Sequence, residues 1–139
     1  MQNQTEIKKL EQGRAEFAYK CVKEGVEKFK SDTNRQKEYR SYSSRIPTMI
    51  LTNGLGQTLA FVNAKAESGN AYELLYKQIT DYFKSEHIAR IKMPSDKNEL
   101  IEWVVSCNSK EYRFITQELL AFLNWLKRFA EGIIEGENG

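Results

Sequence analysis

A chain of 139 residues carrying a net charge of +2 has room for one domain with a real core, and its bulk charge names no partner. Its 12 % aromatic content argues against disorder, its two prolines favour long helices, and its two cysteines, Cys21 and Cys107, are too few for a disulfide framework. No stretch approaches the apolar length of a membrane span and the polar N-terminal region lacks the apolar run of a secretory signal, so a cytoplasmic, reduced protein is expected.

The sequence reads as helices separated by short polar breaks, with no strand alternation. A first helix is expected from about Gln4 to Lys30, on the helical spacing of Ile7, Leu10, Phe17, Cys21, Gly25 and Phe29. Cys21 is read as a small core residue. Arg14 interrupts the stripe. Its stem can pack while its head reaches a carboxylate or carbonyl, or it can serve as a contact to another subunit or an RNA phosphate.

A second helix is expected from about Asn34, with Thr33 and Gln36 as its capping box, and to end near Ser44. Pro47 lacks a backbone N–H and disfavours helical geometry at Ile46, so a break is placed there and a new helix opens with Pro47. From Met49 to Val62 the sequence is apolar on nearly every side, which predicts a buried central helix containing Leu51, Leu55 and Leu59. Gly54 and Gly56 within it suggest close approach of a neighbouring helix.

Asn3 with Glu6, Asn70 with Glu73, Asp96 with Glu99 and Asn108 with Glu111 repeat the spacing of a helix start, in which a short side chain caps a free amide. They predict a helix from Tyr72 to about Ser85, a short one over Lys97–Ser106, and a last one after Asn108. On the last, Tyr112, Ile115, Leu119, Phe122, Leu126, Phe129 and Ile133 form a seam that is either a coiled-coil contact or a core face. Residues 131–139 carry Glu131, Glu135 and Glu137 without a base and are expected to fray as an acidic tail. The fold class is therefore all-α, a single domain over residues 1–139 with five to six helices.

Nothing in the chain assembles a catalytic site. His87 is a lone loop histidine, no Cys/His group has zinc spacing, and Asp32, Asp81 and Asp96 do not cluster as magnesium ligands would. The run Asn53 to Thr58 lacks the lysine and preceding strand of a phosphate loop. No cofactor and no metal are expected, and the chain is not read as an enzyme.

Charge distribution is more informative. Between Lys20 and Arg45 eight basic residues face four acidic ones. On the last helix Arg113, Gln117, Asn124, Lys127 and Arg128 lie roughly opposite the seam, a pattern that can follow a phosphate backbone or be an ordinary solvated face. Tyr39 and Tyr42 lie among Lys37, Arg40 and Arg45, where aromatics can stack on bases or fill the edge of a core.

Three segments together resemble one known family. They are Leu10 through Tyr19; Tyr39-Arg40-Ser41-Tyr42 followed by Ile46 through Phe61; and Tyr112-Arg113 through Glu118 to Trp125-Leu126-Lys127-Arg128-Phe129-Ala130. In order and spacing they resemble the small helical subunit of type III-B CRISPR effectors, the RNA-targeting Cmr complexes. The stretch from Ala64 to Lys110 matches only in outline. The resemblance implies a compact helical bundle and antiviral RNA targeting. It also implies copies of the chain stacked head to tail in a minor filament. The implied partners are the backbone subunit, the large polymerase-like subunit and the guide/target RNA duplex, without a membrane. It assigns the chemistry to those other subunits.

The family offers no invariant catalytic motif to carry over, so the RNA-binding candidates Arg40, Arg45, Arg113, Lys127 and Arg128, and the subunit-interface candidate Arg14, are inferences from the residue pattern. The competing reading is a stand-alone helical adaptor that binds a protein through its apolar seam. Copurification separates the two, since only the first expects a multi-subunit ribonucleoprotein.

Overall fold

Short polar caps and apolar stripes divide the computed structural model into six helices: α1 Gln4–Lys28, α2 Thr33–Asn53, α3 Leu55–Lys65, α4 Ala71–Lys84, α5 Leu100–Ser106 and α6 Ser109–Ile133. The structure describes residues 4–85 and 89–136, and it has no strand among them. The expected cap at Asn3, the loop histidine His87 and the tail residue Glu137 lie outside the described residues.

Two of the expected starts form as read. Asn70 accepts the Glu73 N–H at 2.9 Å and Asn108 accepts the Glu111 N–H at 2.8 Å. The carboxylates then diverge from the box. Glu73 reaches the N–H of Gly69, whereas Glu111 accepts from the indole of Trp103. Two other starts are shifted. Asp32, not Thr33, caps α2 by accepting the Arg35 N–H, and Gln36 donates instead to the Val26 and Phe29 carbonyls at the end of α1. The short helix begins at Leu100 rather than Lys97. Glu102, not Asp96, supplies the local carboxylate, accepting the Asn98 N–H at 2.8 Å.

The largest departure is at Pro47. The helix does not break there; α2 runs through it to Asn53. Pro47 removes one backbone bond, but Ile46 and Ile50 on either side are 0 and 3 % exposed, and their burial holds the turn helical. The break comes at Gly54, whose φ of 90° and ψ of 162° suit glycine alone. The shift changes which residues face inward. Leu51, expected in the core, is 75 % exposed because it lies past the edge of the stripe formed by Tyr39, Ser43, Ile46 and Ile50. Leu55 and Leu59 are fully buried.

One core gathers residues from all six helices. Helix α6 is its centre: Ile115, Leu119, Phe122 and Leu126 have no exposed surface, so the seam is a core face. α1 lies parallel to α6, with Arg14 at Glu118, Phe17 at Phe122 and Tyr19 at Phe129. α2 lies antiparallel to it, with Ser44 at Glu131 and the following turn at Tyr112, whose hydroxyl accepts the Gly56 N–H at 2.8 Å. Tyr82 of α4 stacks on Phe122 at 4.2 Å, and Phe17 meets both rings edge-on. Gly25 admits the Tyr39 ring of α2 against α1, where a Cβ would stand 3.1 Å from it. Glu131 and Ile133, expected to fray, belong to α6, and Ile134 beyond them is 3 % exposed.

Candidate nucleic-acid interface

Of the candidate residues, Arg14 is placed inside the bundle. It is 8 % exposed, and its guanidinium donates to Glu118 through Nε at 3.0 Å and Nη2 at 2.9 Å, and to Glu11 through Nη1 at 2.6 Å. Tyr82 donates to the same Glu118 at 2.5 Å, and Glu11 also accepts from the Trp125 indole at 3.1 Å. Burial alone would lower the Arg14 pKa, but the bonds to Glu118 and its charge outweigh that and leave it raised. Burial, followed by the hydrogen bond to Glu118, raises the Tyr82 hydroxyl. The group is a closed polar network in which each charge has a partner. Of the two readings of Arg14, the structure shows the one internal to the chain. The subunit contact is corrected to an interior ion pair, because α1 and α6 pack closely enough to enclose both charges.

The other five candidates lie outside this network. Arg45, Arg113 and Arg128 are exposed, and Arg40 and Lys127 are half-buried. Among the described residues none of the five has a carboxylate partner, whereas Lys20, Lys30, Arg35 and Lys77 are tied to Glu16, Glu27, Asp32 and Asp81. Arg35 also donates to the Gly69 carbonyl at 2.9 Å, which makes it a structural residue of the loop before α4.

The structure brings four of the five to one end of the molecule. Glu131 of α6 meets Ser44 of α2 at 3.4 Å. That contact lies next to Arg45 and one turn beyond Lys127 and Arg128. Arg40 and Arg45 line one depression with Lys37, Ser41, Tyr42 and Gly136. Arg128 lines another with Glu11, Asn124 and Trp125. Arg113 is separate, about 22 Å from Arg128 along the axis of α6.

The tyrosines divide. Tyr39 is fully buried, donates to Gln78 at 2.7 Å, and stacks on no ligand surface. Burial pushes its hydroxyl well above the ordinary tyrosine range. Tyr42 stays at the rim, stacked on Tyr72 at 3.9 Å with Arg45 over its ring at 5.4 Å. Its hydroxyl, which donates to Glu38 at 2.9 Å, is pushed up to about 12, first by burial and then by that carboxylate.

Two participants, Ser41 and Gly136, escaped the sequence reading as site residues. Ser41 shares the depression with Lys37, Arg40 and Arg45, and its place one turn from both Lys37 and Arg45 along α2 was the available signal. Gly136 had no signal, since it arrives there only by the return of α6. Among the described residues no group of three or more His, Cys, Asp or Glu side chains comes together to hold a metal, and no helix is long and apolar enough to cross a membrane.

The architecture has close relatives. A family model described as CRISPR-associated protein (Cas_Cmr5) matches residues 10–133. The CRISPR system Cmr subunit Cmr5 of Thermus thermophilus is 29 % identical over 121 residues, which cover 87 % of this chain and 92 % of that one. The crystal structure of a CRISPR-associated Cmr5 family protein from the same organism matches with a TM-score of 0.69 at 29 % identity, covering 90 % of this chain and 97 % of that one.

Proposed function

This chain belongs to the CRISPR-associated Cmr5 family, and from that premise we propose that it steadies guide and target RNA as a non-catalytic subunit stacked in the minor filament of a Cmr complex. One observation carries the RNA-holding part. Arg40, Arg45, Arg113, Lys127 and Arg128 have no carboxylate partner among the described residues, as is also true of Lys37 beside Arg40, whereas Lys20, Lys30, Arg35 and Lys77 each have one. Bases left unpaired on two packed helices form a discontinuous stripe that suits phosphates. Such contacts position a nucleic acid without reading its sequence, and base pairing with the guide supplies specificity.

Stacking is a heterologous contact, so two different faces of one subunit must fit each other. The net positive stretch Lys20–Arg45 is one face such a contact could use. The competing adaptor reading loses its main support, because the seam it would present is the buried face of α6. The experiment is purification of the full chain from cells that carry the remaining Cmr subunits. Recovery of a ribonucleoprotein with more than one copy of this chain is expected. A single copy would contradict stacking, and a complex with a protein partner but no RNA would return the reading to the adaptor.

A further inference from the structure

Gly136 covers Arg40 without satisfying it. Arg40 Nε is buried and has no hydrogen-bond partner among the described residues. Gly136 presses on the guanidinium so closely that a Cβ there would stand 2.7 Å from Cζ and 3.2 Å from Nε. The hold on the chain stops just before it: Ile134 is 3 % exposed and its N–H donates to the Ala130 carbonyl, whereas Glu135 is exposed. A charged donor buried without an acceptor is costly, and an anion that supplies one gains what the cover withholds.

We propose that Gly136 is a displaceable cover over a phosphate-binding seat at Arg40, and that a phosphate group entering the α2 depression moves it aside. Arg40 supplies planar donors suited to phosphate oxygens, and Lys37 and Arg45 add positive charge from the same depression. Arg45 is steered there by the Tyr42 ring. One carboxylate, Glu38, lines the depression itself, and a second, Glu131, stands beside Ser44 of the same lining. Glu38 is engaged by the Tyr42 hydroxyl and Glu131 by Ser44. The phosphate is either a phosphodiester of RNA or the free ion. The seat deepens the RNA-holding reading at one residue and rests on it for its biological ligand. It is tested on the isolated full chain, where it can fail while the assembled complex still holds RNA through its other charges.

The measurement is the Nε–Hε signal of Arg40 by NMR during titration with inorganic phosphate. The signal should move and saturate. Gly136→Ala places a Cβ where the guanidinium lies, so either the segment lifts or Arg40 swings out. Both uncover Nε, and phosphate should bind severalfold more tightly. Arg40→Lys keeps the charge and loses Nε; followed in both chains at the Gly136 backbone amide, saturation should disappear. A short uridine oligonucleotide that displaces phosphate makes RNA the source, and one that does not leaves the free ion; both are forms of the proposal. An Arg40 signal unmoved by phosphate in the parent and in Gly136→Ala overturns it, as does an Arg40→Lys chain that saturates as the parent does.

Discussion

Arg14 and Glu118 stand 104 positions apart and meet inside the bundle through two parallel hydrogen bonds of 2.9 and 3.0 Å. The pair ties α1 to α6 beneath the stacked rings of Tyr82 and Phe122. Removing Arg14 strands the Glu118 carboxylate in the interior, and removing Glu118 leaves the buried guanidinium with Glu11 alone. Glu118→Leu should cost about 3–5 kcal/mol in urea unfolding, and Arg14→Met a similar amount. Replacing both at once with these apolar residues should cost less than either single change, since no charge is then left uncompensated. A double variant as unstable as the sum of the singles would show that the pair contributes little through its mutual contact.

The turn between α2 and α3 separates two glycines by sign. Gly54→Ala should lose about 1–3 kcal/mol because its positive φ excludes a side chain, although the space around it is open, with Tyr112 Oη at 3.7 Å. Gly56→Ala should be neutral or gain about 0.5–1 kcal/mol, since it lies within α3 and a Cβ would meet Tyr112 Oη at an ordinary 3.5 Å. Thermal unfolding of the two variants checks both. Equal losses would mean that contact with Tyr112, not backbone conformation, decides the outcome.

Alkaline stability should follow the buried thiol of Cys21. Burial, with smaller help from the charge of Glu24, lifts it from 9.0 to about 12. Between those values the unfolded chain loses the proton and the folded chain keeps it. The unfolded state then binds fewer protons, so stability is fully present below pH 9 and falls as pH rises toward 12. Tyr39 and Tyr82 are also raised, chiefly by burial, and act in the same direction above their ordinary range. The limiting slope is about 1.4 kcal/mol per pH unit for each group. Urea midpoints from about pH 7 to 10 should decline more steeply above pH 9 for the parent than for Cys21→Ala. Parallel curves would remove Cys21 from this role.

Local chemistry made much of this fold legible in advance. The caps at Asn70 and Asn108 need only the neighbouring turn, and the seam from Ile115 to Leu126 declares its buried face by spacing alone. Arg14 in an apolar stripe called for a carboxylate or carbonyl inside the chain or a contact outside it, and nothing local named Glu118. The misreadings are non-local. Pro47 carries a real helix-breaking tendency, and only the burial of Ile46 and Ile50 in the finished bundle overrides it. Gly54 in an apolar run looks like a packing glycine until its backbone conformation is known. At the candidate interface, the sequence pattern named the bases to be tested. Which of them lacked acidic partners depended on packing, and the meeting of Arg40 with Gly136 depended on the course of the entire chain.

Lys127 and Arg128 test the RNA-holding role most directly, because they lie together on α6 and neither has a carboxylate partner among the described residues. The measurement is target RNA binding to a reconstituted Cmr complex across a salt series, with the parent chain and with Lys127→Ala/Arg128→Ala. If both charges follow phosphates, the log–log slope should fall by about 1.4 for a single strand, or nearer 1.8 for a duplex, because two phosphates are no longer neutralised. The complex should remain whole and the loss of affinity should not depend on target sequence. An unchanged slope and affinity in an intact complex would contradict the role and leave these charges an ordinary solvated face.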